Sequence, residues 1–396
     1  MANVSSSNGL EKRPRLAFRN TDGSHFPCWR QTSLGCIIEP YSEKVYGEHD
    51  YEVLTSSREG LQRQEDHFGS KQRHDTDGYN IIPFGYCTYR NRSDDGKFAF
   101  NINTISEKAI VSKFYPVFRF TNANSTFMAE FLNSSPRVKK KLSVLAVGTS
   151  QVVLSFEALK AAKFDLPCKD EQDKIAAFLE CLNTRIENQR TLVAALKKYK
   201  RGLLSAVFSQ NVSMFSTADF YAFSELAVRR SEKYDPKCNA HAACIELEHI
   251  EQETGRIIGS TCADYQNSIK TVCKPGDVMF GKLRPYLRKY AFVQKECVCS
   301  SEIWSLIPTD IVIPKYLFYL IQSEAFMKVA NVSSGTKMPR AEWSTIAKSG
   351  YLIPSKDDQQ ATVDILETTD RIIASHVASY DRFIEYKKGL LQRLFI

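Results

Sequence analysis

A dense group of basic side chains lies in the second half of the chain, within the segment KTVCKPGDVMFGKLRPYLRKYAFV. One acid, Asp277, accompanies six cations there, which are Lys270, Lys274, Lys282, Arg284, Arg288 and Lys289. The turn-forming Lys-Pro-Gly-Asp and the apolar residues after it predict a buried strand that delivers the later cations to an exposed strand end. Clustered cations neutralise nucleic-acid phosphates, and the interleaved Tyr286 and Tyr290 can pack on sugars. The segment therefore predicts a nucleic-acid contact, with a solvated basic face as the alternative.

Basic residues in the first half are more dispersed and lie among acids such as Glu59 and Asp94. The candidate nucleic-acid ligands among them are Arg58, Arg73, Arg90, Arg92 and Lys97. A later loop, GTKMPR, places Lys337 and Arg340 beside a flexible glycine, and its counterpart in the first half reads GTSQ. Both loops can offer hydrogen-bond donors to base edges or phosphates, or they are simply exposed loops.

Residues that could do covalent or metal chemistry form no recognisable set. The sequence has no Walker-type phosphate loop, no GxGxxG after a strand and no Asn/Asp-Pro-Pro-aromatic tetrapeptide of an amino-methyltransferase. Cys238, His241 and Cys244 are spaced by three, but no second pair of zinc ligands with matching spacing follows. The strand-like Cys297-Val298-Cys299 is expected to send its thiols to opposite faces. The seven histidines fit no triad pattern, so the sequence predicts neither a catalytic centre nor a metal site.

The chain repeats itself at a constant offset of 187 residues. Residues 166–209 align with residues 353–396 without a gap, so that Pro167 corresponds to Pro354 and both segments end in YK-x-GLL-x-x-x-F. The same offset continues upstream, where Phe156 corresponds to Trp343 in otherwise different sequence. The chain is therefore a variable domain followed by a similar helix, twice over.

Each repeated helix has apolar residues at alternating spacings of four and three, which is the period of a coiled coil. About 38 residues at 1.5 Å per residue would give a rod of roughly 57 Å. The expected helix-pairing residues are Leu179, Leu182, Ile186, Gln189 and Leu196 on the first helix and Leu366, Ile373, His376, Tyr380 and Phe383 on the second. Related halves suggest a pseudo-twofold axis and hence antiparallel pairing, which would bring Gln189 to His376 as polar residues that set the register. Packing of each helix on its own domain is the alternative.

Composition bounds the class of protein. A chain of 396 residues with 43% hydrophobic residues and a net charge of +8 fits two or three globular domains and permits a polyanionic partner. No apolar run is long enough to span a bilayer, and the polar N-terminus does not read as a signal peptide. The eleven scattered cysteines are typical of reduced thiols, so we expect a cytoplasmic protein.

These patterns predict an α+β fold in which two mixed α/β recognition domains are separated by two long helices that pair as an antiparallel coiled coil. The expected division is a polar tail 1–25, a first domain 26–166, a first helix 167–210, a second domain 211–353 and a second helix 354–396. The strand-like segments are Lys97–Ile102, Phe114–Phe120, Asp277–Phe280, Tyr290–Val293 and Glu302–Ile307. Short helices are expected at Ser125–Asn133 and Lys315–Ala330.

The pattern LP-x-x-x-EQ-x-x-I-x-x-FL, followed by a long helix that ends in YK-x-GLL-x-x-x-F, resembles the repeated regions of type I restriction–modification specificity subunits. The segments GD-x-x-F-x-KLRPYL-x-K, VCSSE-x-x-x-L-x-P and SGTKMPR resemble the target-recognition domains of that family. The resemblance covers almost the whole chain after about residue 14. It implies that each domain reads one half of a split, asymmetric DNA sequence, mainly through the major groove, while the helices fix the gap between the half-sites.

The resemblance also implies partners besides double-stranded DNA. Two adenine-N6 methyltransferase subunits would dock on the helices, and restriction (translocase) subunits would join them. S-adenosylmethionine, ATP and magnesium would then belong to those partners, and this chain would hold no cofactor and catalyse nothing itself. The alternatives are a coiled-coil scaffold without a nucleic-acid role and a self-contained DNA methyltransferase or nuclease.

Overall fold

A computed structural model of the chain describes residues 14, 16–69, 75–209, 217–237, 242–263, 268–332 and 338–395. The chain divides into two compact units, one made of Met1–Asn188 with Tyr380–Ile396 and the other of Gln189–Ser379. Each unit combines a globular domain with about half of each long helix. The five-segment division stays a prediction from the sequence.

The strands of the first unit form two four-stranded sheets and two ribbons. They are β1 Arg30–Ser33, β2 Ile38–Tyr41, β3 Glu52–Ser57, β4 Gly60–Arg63, β5 Asn80–Pro83, β6 Cys87–Tyr89, β7 Arg92–Ser93, β8 Phe100–Ile102, β9 Lys108–Val111, β10 Val117–Phe120, β11 Val152–Val153 and β12 Lys163–Leu166. The sheets have the orders β2-β10-β6-β8 and β4-β3-β9-β5, and the ribbons are β1-β12 and β11-β7. All of these pairs are antiparallel except β3 with β9.

The helices of the first unit are capped by side chains where the sequence offers them. They are α1 Gln64–Phe68, α2 Ser125–Ser134, α3 Pro136–Leu145, α4 Phe156–Ala161 and the long α5 Lys169–Val207. Asn124 and Ser135 accept hydrogen bonds from the first-turn amides of α2 and α3, and Pro136 supplies the preset first residue of α3. The main core joins Phe118 of β10 to α2, α3, the start of α5 and the C-terminal Phe395.

The second unit contains a four-stranded sheet, a five-stranded sheet and a ribbon. Its strands are β13 Ala218–Ala222, β14 Ala227–Arg229, β15 Lys233–Tyr234, β16 Ala243–Ile245, β17 Thr261–Cys262, β18 Lys270–Cys273, β19 Val278–Gly281, β20 Tyr290–Phe292, β21 Cys297–Cys299, β22 Ile303–Pro308 and β23 Gly350–Pro354. The orders are β14-β22-β19-β20, β15-β18-β21-β16-β17 and β13-β23. Its helices are α6 Phe223–Leu226, α7 Pro314–Leu320, α8 Glu324–Ala330, α9 Trp343–Ile346 and the long α10 Lys356–Leu394.

The repeat in the sequence is a repeat in the structure. Both long helices have 39 residues, and Lys169–Val207 and Lys356–Leu394 begin and end at positions related by the offset of 187. The short helices that begin at Phe156 and Trp343 and the strands that begin at Lys163 and Gly350 keep the same offset. In each unit this strand pairs with the first strand of that unit, as β1-β12 and β13-β23. The prediction of a duplicated architecture is confirmed.

The long helices pair antiparallel, as expected. In the first unit, Leu182 and Ile186 from the first half of α5 pack against Leu390 from the last turns of α10, with Tyr380 and Phe383 beside them. In the second unit, Leu204 from the end of α5 shares a core with Leu366 from the start of α10, and Leu179 is buried in the first unit's core. Gln189 donates from Nε2 to the carbonyl oxygen of His376 at 2.9 Å and lies 2.9 Å from its Nδ1. Leu196 and Ile373 are half-buried on the same seams.

Three of the predicted elements differ from the structure by more than one residue, and the other four differ by a single residue at their ends. The strand expected at Lys97–Ile102 begins only at Phe100, because the amide of Lys97 is bonded to Ser93 and Asp95 in a turn through Gly96, whose φ is +70°. The strand expected at Phe114–Phe120 begins at Val117, since Pro116 has no amide to donate. The helix expected at Lys315–Ala330 is two helices, because the Ser323 hydroxyl caps a new first turn.

The prediction that Cys297 and Cys299 point to opposite faces was wrong. Residues two apart in a strand share a face, and both thiols lie in one core with Cys273, which pairs directly with Cys297 across β18 and β21. The hydrogen bond with the neighbouring Cys273 thiol and burial raise the pKa of the Cys297 thiol. Val298 points to the other face of the sheet.

Candidate nucleic-acid interface

The structure brings four of the predicted first-domain cations together. Arg58 in the β3–β4 turn, Arg90 and Arg92 around the start of β7, and Lys97 before β8 line one small cleft of about 120 Å³, with Ser56 and Ser57 on its wall. The sequence separates these residues by up to 39 positions, and only the fold makes them a cluster. A cleft of this size with several cations can hold one phosphate group or one base edge.

Asp95 fixes the geometry of this cleft. Its carboxylate accepts from Arg58 Nη2 at 2.6 Å and lies 3.4 Å from Lys97 Nζ. Although desolvation opposes its ionisation, hydrogen bonds from Ser93, from the Lys97 amide and from Arg58 lower the pKa of Asp95 to about 2. The carboxylate therefore stays charged, and it holds Arg58 while Arg90 and Arg92 have no ion pair in the described residues.

An aromatic side chain stands next to the cleft. The guanidinium carbon of Arg92 lies 5.0 Å from the centre of the Phe114 ring, and that ring is exposed. Such a cation–π contact holds both groups in place at a surface. Phe114 was missed as a site residue, because the sequence placed it inside a strand.

In the second domain two loops are joined into one surface. The amide of Arg284 donates to the carbonyl oxygen of Pro339 at 2.7 Å, and the amide of Ala341 donates to Lys282 at 2.9 Å. Arg340 donates from two nitrogens to both carboxylate oxygens of Glu302, each at 3.1 Å. The KLRPY and MPR segments, far apart in sequence, thus lie side by side.

The exposed part of this surface carries Lys282, Arg284 and two apolar side chains. Arg284 is exposed with a left-handed φ of +50°, and it and the half-buried Lys282 have no ion pair among the described residues. Tyr286 and Met338 beside them are about half exposed, at 55% and 50%. We call Lys282, Arg284, Tyr286, Met338 and Arg340 the second-domain basic surface. It offers free donors for base edges or phosphates and apolar side chains for sugars or methyl groups.

Two other predicted ligands in this segment have intramolecular partners. Arg288 donates from Nη2 to both carboxylate oxygens of Glu324 at 2.7 Å, and Lys289 Nζ donates to the carbonyl oxygen of Leu247 at 2.6 Å. The basic segment also contains Lys270, whose side chain is buried and bonds Glu246 at 2.9 Å. These three cations stabilise the domain and are poorly placed to give up their partners to a ligand.

The single acid of the basic segment is structural as well. The buried Asp277 accepts two bonds from Arg230, at 2.6 and 2.7 Å, and one from the Ser305 hydroxyl at 2.7 Å. It also accepts from the amide of Lys274 at 3.0 Å, which closes the Lys-Pro-Gly-Asp turn before β19. Asp277 therefore fixes the hairpin that carries the second-domain basic surface.

Two predicted ligands, Arg73 and Lys337, lie outside the described residues, as do Cys238 and His241 of the spaced cysteine and histidine set. Among the residues that the structure does describe, no group of three or more histidine, cysteine or acidic side chains is arranged to hold a metal ion. The ten cysteines within that part of the chain form no disulfide. None of the helices described there is long and apolar enough to cross a membrane.

Each long helix also exposes apolar residues away from its pairing seam. Ile365 and Ile372 are exposed on α10 and lie seven residues apart, hence on one face. Leu192 and Tyr199 do the same on α5. Tyr199 and the equivalent Tyr386 are 59% and 58% exposed, so the repeat preserves this feature. Apolar side chains that are exposed in a row on a helix are typical of a protein contact.

Comparison with known proteins settles the family. The type I restriction modification DNA specificity domain matches the chain twice, at residues 39–198 and at residues 234–381. The chain belongs to this family of specificity subunits. Each match contains most of one globular domain and most of one long helix, which together are the unit of duplication seen in the fold.

Individual relatives agree with this membership. A segment of 145 residues is 30% identical to the type I restriction enzyme HindI specificity subunit of Haemophilus influenzae, covering 35% of this chain and 31% of that protein. The segment thus spans about a third of the length of that relative. The fold resembles the type I restriction–modification S subunit of M. genitalium with a TM-score of 0.56 and 14% identity, covering 97% of this chain and 99% of the other. A structure from a study of type I complex assembly matches with a TM-score of 0.57 and 15% identity, covering 93% and 98%.

The chain therefore carries two copies of the DNA specificity domain of type I restriction–modification systems. The resemblance inferred from the repeated motifs is therefore confirmed.

Proposed function

We propose that each domain of this specificity subunit reads one half of a bipartite, asymmetric target in double-stranded DNA. The observation that carries this proposal is the contrast between the halves. The helices and adjoining elements repeat at a constant offset of 187 residues, whereas the cationic surfaces built on them differ in residues and in geometry. A duplicated frame with two dissimilar surfaces would read two dissimilar sequences.

In the first domain, the proposed ligands are Arg58, Arg90, Arg92 and Lys97, with Phe114 beside them. Arg58 and Lys97 share Asp95, so they suit phosphate contacts that position the DNA. Arg92, held on the Phe114 ring, is the better candidate for a base edge, because its orientation is already fixed.

In the second domain, the proposed ligands are Lys282, Arg284 and Arg340, with Tyr286 and Met338. Arg284 can present two donors to a guanine edge without breaking an ion pair among the described residues. Arg340 is held by Glu302 and suits a phosphate or a single base contact. Lys337 stays a proposed ligand from its place in the same loop, and Arg73 from its place in the first domain. Arg288 and Lys289 are proposed only as supports of this surface, because their side chains are bonded within the domain.

We further propose that the paired helices set the spacing between the half-sites and dock two methyltransferase subunits. Each helix of 39 residues is about 58 Å long at 1.5 Å per residue. Exposed apolar residues lie at the same heptad position of both helices, with Tyr199 and Tyr386 at equivalent positions, and they would give two copies of one partner similar contact surfaces. Restriction subunits would join that complex, and S-adenosylmethionine, ATP and magnesium would be bound by the partner subunits. Such a complex would act on cytoplasmic DNA.

A domain exchange tests the reading of half-sites. Residues 217–353 are replaced by the second domain of another type I specificity subunit, and the assembled methyltransferase complex is then used to select its target from random duplexes. One half of the selected motif should change, while the other half and the gap stay the same. A change in both halves, or in neither, would refute the proposal.

Salt dependence separates DNA reading from a scaffold role. A surface that neutralises several phosphates should lose affinity for DNA steeply as the salt concentration rises. Binding releases counterions from the DNA, and a higher salt concentration opposes that release. A coiled-coil scaffold without a nucleic-acid role would show no such dependence in the assembled complex.

A further inference from the structure

A second cationic site lies in the second unit, and its lining residues are different from those of the second-domain basic surface. A cavity of about 370 Å³ opens between the long helices and the globular domain of that unit. Its helix side comes from residues that recur at three and four positions, Lys197 to Leu204 on α5 and Asp370 to Val377 on α10. Its domain side comes from the hairpin 251–256 and from Arg288, Tyr290 and Gln322. The volume is in the range of sites that hold one small organic ligand.

The walls of the cavity are fixed before any ligand arrives. Glu253 at the hairpin tip has a left-handed φ of +61°, and its amide donates to Arg288 at 3.0 Å while its carbonyl accepts from the Tyr290 hydroxyl at 3.1 Å. A β-carbon on Gly255 would lie 2.5 Å from the Phe318 ring, so the hairpin is packed tightly onto the domain. On the helix side, Lys200 is tied to Asp370 at 2.7 Å. A preformed cavity binds a ligand without a large ordering cost.

Positive charge is in excess around the opening. Six cations line the cavity against three carboxylates, and two of the cations, Lys200 and Arg288, are committed to close ion pairs. The other four are exposed, and they are Lys197, Arg201, Arg256 and Arg371. Arg201 and Arg256 have only long contacts to acids, of 3.9 and 3.8 Å. Lys197 and Arg371 have no ion pair in the described residues, and such exposed cations are available for an anion.

The floor is apolar, in contrast to the rim. Leu204 is buried, Ile373 and Val377 are half-buried, and the ring of Tyr290 is buried behind them. An apolar floor under a cationic rim suits a ligand with an apolar or aromatic body and an anionic end.

The duplicated helix provides an internal comparison. The residues equivalent to Lys197 and Arg371 in the other half are Ile384 and Thr184. Helix pairing therefore does not require these two charges, because the same frame pairs without them in the other half. The lysine that does support the frame is kept, since Lys387 corresponds to Lys200 and is bonded to Glu130 at 2.8 Å.

We propose that this cavity binds a nucleoside phosphate, with the base on the apolar floor and the phosphates against Lys197, Arg201, Arg256 and Arg371. Such a ligand would touch both long helices and the hairpin of the same unit. None of its four proposed phosphate ligands belongs to the surfaces proposed to read DNA, and the residue shared with the second domain's surface is Arg288, which supports that surface while its own side chain is paired with Glu324.

Calorimetric titration of ATP into the full chain, without partner subunits, tests this proposal. ATP should bind with one site per chain, and adenosine and tripolyphosphate should each bind at least tenfold more weakly, since each engages only the floor or only the cations. The double variant Lys197→Ile and Arg371→Thr installs the residues that the other half already uses, and it should weaken ATP at least tenfold. The matched control Lys388→Ala removes an exposed cation at the position equivalent to Arg201 and should leave ATP binding unchanged.

Other results would overturn the proposal. These are no binding of ATP, equal binding of tripolyphosphate, or equal loss in the control and the double variant. A double variant that keeps its ATP affinity would do the same. If a short DNA duplex competes with ATP and its own binding is lost in the double variant, the cations form a DNA surface and not a nucleotide site. Melting temperatures of both variants, expected to stay within a few degrees of the parent, exclude unfolding as the cause.

Discussion

Replacing Arg284 by alanine should weaken DNA binding through a single lost contact. Arg284 is exposed and has no ion pair in the described residues, and its only described tertiary bond comes from its backbone amide, which alanine keeps. Folding stability should therefore change by no more than about 0.5 kcal/mol. A lost bidentate contact to a base costs about 1–3 kcal/mol, or roughly 5- to 140-fold in affinity, and relaxes one position of the target. Loss of a phosphate contact would instead weaken binding to every DNA sequence. It would also reduce, by about 0.9, the steepness with which the logarithm of the binding constant falls with the logarithm of the salt concentration.

The assay is fluorescence anisotropy of the assembled methyltransferase complex with its target duplex, at several salt concentrations. Arg284→Lys separates the two cases, because lysine keeps the charge but not the two parallel donors. Lys295→Ala is the matched control. Lys295 is exposed beyond the other end of the β19–β20 hairpin, where Val278 pairs with Phe292. Equal affinity and equal salt slope for Arg284→Ala and Lys295→Ala would remove Arg284 from the interface.

Three further outcomes are expected. Arg92→Ala should weaken discrimination between target and substituted bases only in the half-site that the first domain reads, as measured with duplexes substituted in each half. An effect confined to the other half-site would contradict the assignment of Arg92 as a base ligand of the first domain. The double variant Ile365→Ser and Ile372→Ser removes exposed apolar side chains from α10 only, so less methyltransferase subunit should co-purify with it at an unchanged melting temperature. Full retention of both methyltransferase subunits would place the docking surface elsewhere. Leu366→Ala should lower the free energy of unfolding, measured by urea titration, by about 2–5 kcal/mol, because Leu366 is 1% exposed in the second unit's core. A loss well below about 1 kcal/mol would show that the two helices are not closely packed at this position.

The frame was predictable from the sequence because it depends on period and repetition. Alternating spacings of three and four place the apolar residues on one helix face, independently of the fold of the globular domains. The offset of 187 predicted that α5 and α10 begin and end at equivalent positions. The contact between Gln189 and His376 followed from antiparallel symmetry alone. Strand ends were less predictable, since they depend on single side chains such as the Ser93 hydroxyl that holds the Lys97 amide.

The candidate interface was only partly predictable, because ion pairs join residues that are distant in sequence. Arg284 and Arg288 flank the same short turn, and both have a φ of +50°. Only Arg288 forms an ion pair in the described residues, with the carboxylate of Glu324 on α8. The sequence around Arg288 does not predict this pair, because Glu324 lies 36 residues further along the chain. Likewise, Arg58 and Arg92 share a cleft because β3, β7 and the loop at Asp95 meet in space. The pattern of charges in the sequence identifies the basic segment. Tertiary contacts determine which of its cations are bonded within the domain and which can bind DNA.

Mapping of N6-methyladenine in DNA from cells that carry this subunit with its methyltransferase partners tests most directly whether two unlike domains read one target. We expect methylation within a motif of two different short sequences separated by a gap of fixed length and free composition. A single uninterrupted motif, or a palindrome with identical halves, would contradict the reading of one half-site by each domain.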